Sequence, residues 1–139
     1  MGATREALVE VALAHSTAEA EGDLDATMAT LEDETVYELQ PVGLKLVGRD
    51  RARRYYEWFF EKFAPRIERY EMRGEWINDI GVNQEYTLWV RDDDGTSKRF
   101  EIIGILVFGD TKLTGERLYA SEELYRMMVG PVYDEAVPV

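Results

Sequence analysis

The stretch EGDLDATMATLEDETVYELQPVG, residues 21–43, decides the fold because it joins a helical region to the first strand of a sheet. Gly22 is a typical residue to end the helix before it, and Asp23 is a typical N-cap for a short helix after it. Residues 35–40 then have the composition of a strand, and Pro41 turns the chain. The order of parts therefore places helices ahead of a sheet.

Two further helical patterns flank this stretch. The first covers residues 5–21, and the second is an aromatic-rich segment over residues 51–63 that Pro65 ends. Apolar residues and the single histidine recur at helical spacing in the first of them: Leu8, Val11, Ala12 and His15. We expect the following sheet to curl around these helices in order to bury their apolar faces, and the curl to leave a pocket.

Four β-patterned segments fill most of the remaining chain. They cover residues 67–80, 85–91, 100–108 and 113–121. Gly74 and Asn78 predict a bend or bulge inside the first of these segments. The acidic run at 92–94 lacks the ligand spacing of a calcium loop and is interpreted as a solvated hairpin turn. We predict an irregular tail over residues 130–139.

Composition limits the classes of function. The chain has 139 residues, 45% of them hydrophobic, which suits one domain over residues 1–139. A net charge of -12 disfavours nucleic acid and anionic membranes as partners. Cysteine is absent, which excludes disulfides and thiolate metal sites. With no signal-like or membrane-spanning pattern in the sequence, we expect a cytoplasmic protein.

Several short motifs resemble those of the nuclear transport factor 2-like superfamily, in its SnoaL-like and ketosteroid isomerase-like branch. They are Gly22-Asp23-Leu24-Asp25, Thr35-Val36-Tyr37-Glu38, Pro41-Val42-Gly43, Gly48-Arg49-Asp50 and Gly115-Glu116-Arg117-Leu118-Tyr119-Ala120-Ser121. The resemblance covers about residues 4–128. It implies a cone-shaped, cystatin-like α+β fold in which a strongly curved, mostly antiparallel sheet wraps three N-terminal helices. It also implies an apolar pocket and a homodimer through the outer sheet face.

This chain lacks the best-known catalytic residues of the superfamily that it resembles. At the isomerase positions for the tyrosine, the aspartate base and the second acidic donor, this chain has His15, Gln40 and Gly104. At the acid/base position of the SnoaL-like cyclases it has Ser121, and Leu118 is the nearest match to the last-strand aspartate of limonene epoxide hydrolases. Kinship of fold alone therefore assigns no activity.

Three residues remain candidates for catalysis. His15 lies on the buried stripe of the first helix, where it is a core histidine with a hydrogen-bond partner, a donor that orients a ligand, or a general acid/base. Glu38 is a base if its strand face is the inner one, and otherwise faces solvent or a dimer partner. Glu101, in the most apolar segment, is paired with Arg99, Arg117 or a residue of a neighbouring subunit, reaches the sheet edge, or is an acid of raised pKa.

Aromatic and polar side chains make up the predicted ligand-binding set. Its members are Gln40, Tyr55, Phe59, Trp89, Phe100 and Tyr119. A cone lined by such rings suits flat apolar molecules, although rings on the outer sheet face would equally suit a dimer interface. Period-two alternation divides the rings between two faces but does not say which face is inward.

These features give two hypotheses of function. In the first, the protein binds or transforms a mostly apolar cyclic compound, such as a polyketide, steroid-like or terpenoid molecule, by cofactor-free proton transfer. The reaction would be isomerisation, cyclisation, dehydration or hydrolysis, with no metal or nucleotide cofactor. In the second, it is a non-catalytic dimerising or interaction module whose own aromatic side chains close the pocket.

Overall fold

The computed structural model describes residues 2–139, which form four α-helices and a seven-stranded sheet. The helices are α1 (Arg5–Glu21), α2 (Leu24–Ala29), α3 (Arg49–Trp58) and α4 (Glu122–Val129). The strands are β1 (Leu31–Gln40), β2 (Leu44–Val47), β3 (Ile67–Ile77), β4 (Gly81–Arg91), β5 (Ser97–Phe108), β6 (Leu113–Tyr119) and β7 (Val137–Pro138).

The junction of the first two helices is built as the sequence predicts. Gly22 adopts a left-handed conformation with φ of 71°, and its backbone N–H closes the end of α1 on the carbonyl groups of Ala18 and Glu19. The Asp23 side chain then accepts a hydrogen bond from the backbone N–H of Ala26 and caps α2. These caps fix the direction in which the chain enters β1.

The strands follow the spatial order β3-β4-β5-β6-β1-β2-β7. All neighbouring strands are antiparallel except β1 and β6, which run parallel. Irregularities in register interrupt β3 near Gly74 and β1 between Leu31 and Val36, and such bulges increase the local bend of a strand. The curved sheet wraps the helices and confirms the predicted α+β fold class, with α4 as an additional helix.

Alternation along the strands separates an inner from an outer sheet face. On β1, Tyr37 and Leu39 are fully buried, and their neighbours across the parallel pair are Glu116 and Leu118 of β6. These side chains face the helices. The residues between them, such as Glu38, point to the outer face.

The end of the third helix departs from the predicted continuous segment over residues 51–63. Helix α3 gives way to one π-helical turn, Phe59–Phe63, and then to a short 3-10 turn, Ala64–Arg66. A π-helical turn inserts an extra residue and shifts the faces of a helix. Here Tyr55, Phe59 and Phe63 all remain on the side that faces the sheet.

The C-terminal residues are more regular than the predicted irregular tail over 130–139. A 3-10 segment, Gly130–Glu135, leads into β7, which pairs with β2. Arg54 of α3 holds this segment through two hydrogen bonds to the carboxylate of Glu135. The sequence analysis missed the pairing of β7 with β2 because a two-residue strand has no detectable period.

Candidate functional site

A cavity of about 300 Å³ lies between the inner face of the sheet and the helices. Its walls come from α1, the end of α3 with its π-helical turn, strands β3 to β6 and α4. Apolar and aromatic side chains form most of the lining: Tyr55, Phe59, Phe63, Ile67, Tyr70, Tyr86, Leu88, Ile102, Leu106, Leu118 and Met128. The rings border this space and leave it open.

Helix α1 contributes the polar end of the cavity through His15. The side chain is fully buried, because it lies on the stripe of α1 that also carries Leu8, Ala12 and Ala18. Its Nε2 atom lies 3.2 Å from Oε2 of Glu116 on β6 and 3.3 Å from Oε2 of Glu19, one turn further along α1. One imidazole and two carboxyl groups therefore meet at this point.

The other ring nitrogen of His15 has a defined protonation state. Nδ1 lies 2.7 Å from Oγ1 of Thr30, and that hydroxyl donates its own proton to the carbonyl oxygen of Thr27 at 2.7 Å. The hydroxyl can therefore only accept from the ring, so Nδ1 carries a proton. Any exchangeable proton that His15 offers to the cavity is consequently the one on Nε2.

Two tyrosine hydroxyl groups, joined by a hydrogen bond, hold Glu116 in place. The Tyr56 hydroxyl lies 2.8 Å from Oε2 of Glu116 and 2.6 Å from the hydroxyl of Tyr37. A carboxylate oxygen accepts the single proton of Tyr56, so Tyr37 donates to Tyr56 and Tyr56 donates to Glu116. Burial, together with the nearby charge of Glu116, raises the pKa values of both tyrosines well above their ordinary range and keeps them as donors.

The environment changes the proton affinity of the two groups on α1. Burial alone would lower the pKa of His15, but hydrogen bonds to Glu116 and Glu19, and the charges of both, raise this pKa to about 10. For Glu19, burial raises the pKa, and the charge of Glu116 acts in the same direction. The Glu19 side chain is 31% exposed, so it is the member of the pair that solvent or a ligand reaches more easily.

The same three side chains are those that could hold a metal ion in the described part of the chain. One ligand atom from each of His15, Glu19 and Glu116 lies within 4.8 Å of the others. Imidazole and carboxylate are suitable ligands for zinc and for other divalent transition metals. The Tyr56 hydroxyl oxygen, however, already lies within 3.3 Å of a ligand atom of each of the three groups.

A second polar group lies along the same wall. Oγ of Ser16 and the amide of Gln84 are hydrogen-bonded, with Nε2 of Gln84 at 3.1 Å, and the same Nε2 donates to Glu75 at 2.8 Å. The Tyr86 hydroxyl lies 3.5 Å from Oε1 of Gln84, and burial raises the pKa of Tyr86 to about 12. A ligand in the cavity would therefore find neutral hydrogen-bonding groups beside the titratable cluster.

The structure brings three of the predicted site residues to the cavity. His15, Tyr55 and Phe59 all line it. Phe100 also lies on the inner side of the sheet, where it is 7% exposed, but it packs in the core away from the cavity lining. The prediction that Phe100 binds a ligand is therefore not supported by this geometry, although the residue lies on the inner face of the sheet.

The two acidic residues predicted as bases lie on the outer sheet face, which corrects that expectation. Oε2 of Glu38 is 3.1 Å from Nε of Arg117, its direct neighbour across β1 and β6. Glu101 pairs with Arg99 and accepts a hydrogen bond from Thr87 at 2.9 Å. Because inner and outer residues alternate, Glu38 and Glu101 cannot reach the cavity without a shift in strand register.

Three members of the predicted ligand-binding set also lie on the outer face. Gln40 hydrogen-bonds Glu38 at 3.4 Å, and Trp89 stacks under the guanidinium of Arg69 at 3.7 Å. Tyr119 is 44% exposed and borders a hollow of about 400 Å³ outside the sheet. Their positions correct the expectation that they line the cone, for the reason that applies to Glu38.

The sequence analysis did not single out Glu19 and Glu116 as cavity residues. Glu19 is four residues after His15 on a helix, so the spacing alone places both on one face. Glu116 shares the inner face of β6 with Leu118, and a carboxylate in that company is a signal of a functional or paired acid. The role of Tyr56 depends on tertiary contacts and had no signal in the sequence.

The chain belongs to the SnoaL-like domain family, whose sequence profile matches residues 12–116. This confirms the resemblance drawn from the motifs around Gly22 and Pro41. No curated protein matches the sequence significantly. None of the described helices combines the length and the apolar composition that a membrane span requires.

Solved structures of low sequence identity share the fold. A candidate polyketide cyclase from Xanthomonas campestris is 19% identical, with a TM-score of 0.65 over 91% of this chain and 98% of its own. A candidate ketosteroid isomerase from Kribbella flavida is 14% identical, with a TM-score of 0.66 over 84% of this chain and 79% of its own. A de novo designed protein with a curved β-sheet is 15% identical and has a TM-score of 0.65, over 96% of this chain and 99% of its own. At these identities the likeness concerns the fold, which also exists in a protein made by design.

Proposed function

We propose that this protein binds a small, mostly apolar cyclic compound in the inner cavity and transfers a proton on it without a cofactor. The observation that carries the proposal is the meeting of His15, Glu19 and Glu116 at one end of an otherwise apolar cavity of about 300 Å³. This volume is at the lower end of small-molecule sites, about 300–1,000 Å³. Titratable groups of shifted pKa in a concave apolar site are typical of acid/base catalysis.

The exposures of the two carboxyl groups suggest different roles. Glu19 is the more accessible of the two, and burial raises the pKa of its carboxyl group, which increases its affinity for a proton. We assign Glu19 as the group that takes a proton from the ligand or returns it. His15, whose Nε2 lies between both carboxyl groups, relays or donates a proton, and Glu116 holds the imidazole in position.

The apolar walls support a cyclic ligand. Phe59 and Phe63 lie with ring centroids 5.4 Å apart at the π-helical turn, and both border the cavity. Ile102 and Leu118 form part of the opposite, sheet side. A flat hydrocarbon skeleton between these surfaces would bury most of its area, while its polar edge would face the carboxyl groups. The reaction class is therefore isomerisation, cyclisation, dehydration or hydrolysis of such a skeleton.

Hydrogen–deuterium exchange on a cyclic ketone tests the proposal. We would incubate 2-tetralone with the protein in D₂O and follow loss of the signal of the protons next to the carbonyl by NMR. Wild-type protein should accelerate the exchange over buffer. Glu19→Gln keeps the shape but cannot take up a proton, and should lower the accelerated rate by about 100-fold.

A matched control separates catalysis at the cavity from general carboxylate effects. Glu101→Gln removes an acid on the outer face and should exchange at the wild-type rate. Equal rates for wild type, Glu19→Gln and buffer, on ketones that bind, would reject proton transfer and leave a binding protein. Failure of every cyclic ketone to stabilise the protein thermally would favour the non-catalytic interaction module.

We also propose that a second copy of this chain covers the outer sheet face. The support is a hollow there bordered by both signs of charge, with Arg73 and Arg99 beside Glu85 and Glu101, and with Ile103 between them. An interface around a two-fold axis presents the same patch twice, so a patch with both charges can pair with itself. Light scattering should show that the Ile103→Glu variant is a monomer. The Glu10→Lys variant, changed at an exposed position of α1, should remain a dimer. Wild-type protein that is monomeric at all concentrations would contradict the dimer.

A further inference from the structure

Two carboxyl groups face the cavity, but the lining has no lysine or arginine among the described residues. The carboxyl groups belong to Glu19 and Glu116, and the imidazole of His15 is the sole basic side chain beside them. Elsewhere in the described chain, some acids pair with guanidinium or ammonium groups, as Glu135 does with Arg54 and Glu123 does with Lys98. At the cavity, two acidic groups meet only one basic group.

Proton positions limit how far His15 can balance these charges. Its Nδ1–H is used by Thr30, so only the proton on Nε2 is directed at the carboxyl groups. One imidazolium compensates one carboxylate, and the second carboxyl group must keep a proton or meet a further cation. A bound cation beside Glu19 and Glu116 would supply this second positive charge.

Aromatic rings surround the approach to this unbalanced charge. Tyr55, Phe59, Tyr70 and Tyr86 all border the cavity. The faces of such rings carry negative electrostatic potential and attract organic cations, particularly desolvated ammonium groups. A neutral ligand would gain the apolar contacts of these rings, but a cation gains an electrostatic attraction as well.

The same features disfavour an anionic ligand. A carboxylate in the cavity would meet Glu19 and Glu116 at short range, and the one cationic group near them already hydrogen-bonds both. At long range, the net charge of -12 repels anions and attracts cations, which raises the encounter rate of a cationic ligand.

We propose that the cavity selects a cyclic compound that carries a protonated amine, with the ammonium placed at Glu19 and Glu116 and the ring system against the aromatic walls. The proposal rests on the ligand cavity of the proposed function and names the chemical class that it takes. It does not depend on whether proton transfer occurs there.

The test uses three bicyclic compounds of one shape and different charge. They are 2-aminotetralin as the ammonium, 2-tetralol as the neutral form, and tetralin-2-carboxylate as the anion. Binding to EDTA-treated, dialysed protein is measured by isothermal calorimetry and by thermal shift. We expect the amine to bind at least about ten-fold more tightly than the alcohol, as one desolvated cation–π and charge contact provides, and the carboxylate to bind least.

Variants identify the groups responsible. Glu19→Gln and Glu116→Gln should each remove most of the preference for amine over alcohol while the alcohol still binds. Glu101→Gln, on the outer face, should leave the preference unchanged. Circular dichroism of each variant checks that it is folded, and Glu19→Asp, which keeps the charge, should retain part of the preference.

Different failures have different meanings. Equal binding of amine and alcohol, or tighter binding of the carboxylate, would overturn the amine proposal and leave the ligand cavity of the proposed function intact. No binding of any of the three would overturn both. Stabilisation by ZnCl₂ without any by 2-aminotetralin would overturn the amine proposal in favour of a metal as the missing cation.

Discussion

Tyr37 and Glu116 are direct neighbours across the parallel strands β1 and β6, and the Tyr56 hydroxyl links their side chains from the opposite, helical layer. The tyrosine pair thus supplies a buried carboxylate with a hydrogen bond in a place that guanidinium groups do not reach. The link connects the acidic end of the cavity to the hydrophobic core, so the hydrogen bonds that hold Glu116 in place also stabilise the fold.

Removing the Tyr56 hydroxyl should destabilise the protein. In Tyr56→Phe, Glu116 loses a donor and the Tyr37 hydroxyl loses its acceptor, and an unpaired buried polar group costs about 1–3 kcal/mol. Urea unfolding measures the loss. The control is Tyr55→Phe, because within residues 2–139 the neighbouring Tyr55 hydroxyl makes no hydrogen bond to a side chain or to the backbone. Equal losses for the two variants would contradict the network.

Alkaline pH should weaken the fold through His15. Its folded pKa of about 10 lies above the ordinary 6.5, so its stabilising contribution is full below pH 6.5 and disappears as pH rises toward 10. At about 1.4 kcal/mol for each unit of pKa difference, the free energy of unfolding should fall by a few kcal/mol over this window. Urea midpoints at pH 6, 8 and 10 measure the fall, and His15→Gln should lack this component.

The protonation of His15 can also be observed directly. It is the single histidine of the chain, so a ¹⁵N spectrum of the imidazole contains signals from this ring alone. At pH 7.5 we expect both nitrogens to be protonated, with Nδ1–H retained because Thr30 accepts from it. Glu116→Gln should lower the pKa of the ring, since it removes one of the charges that stabilise the imidazolium. A neutral ring at pH 7.5 in wild-type protein would contradict the proposed cluster.

A side chain at Gly115 should prevent the parallel strand pair from closing. The residue has φ of 132°, and a Cβ atom there would lie 1.9 Å from the carbonyl oxygen of Val36 on β1. Gly115→Ala should destabilise the protein by more than about 3 kcal/mol, because backbone strain and a backbone collision add. Gly95→Ala, with φ of 86° in an open turn, should cost only about 1–2 kcal/mol. Thermal unfolding of both variants distinguishes the collision from the strain of positive φ.

A substitution on the outer face of the sheet should leave ligand affinity in the inner cavity unchanged. Glu38→Gln removes a partner of Arg117, a partly exposed pair whose loss affects stability by no more than about 1 kcal/mol. Its affinity for a cavity ligand such as 2-tetralol should equal that of the wild type in calorimetry. A change of ten-fold or more would show that Glu38 acts at the cavity and would contradict the strand register described above.

Local signals in the sequence predicted the architecture, whereas the site depended on contacts between distant segments. The cap residues Gly22 and Asp23, the helical stripe ending in His15 and the turn at Pro41 each report structure within a few residues. The face on which Glu38 and Glu101 lie depends on which side of the sheet meets the helices, and period-two alternation does not contain that information. Alternation places Glu116 and Arg117 on opposite faces of β6, and only the packing of the sheet against the helices assigns the first of them to the interior.

The wide spacing of the cluster along the chain has a consequence for protein synthesis. His15 and Glu116 are 101 residues apart, and Tyr56 and Glu116 are 60 apart, so contacts of high sequence separation must form before the acidic cavity exists. A chain leaving the ribosome exposes the imidazole of His15 long before Glu116 is translated. A premature stop within β5 would therefore yield a product with α1 to α3 and most of the aromatic lining but without Glu116, which holds the imidazole in position.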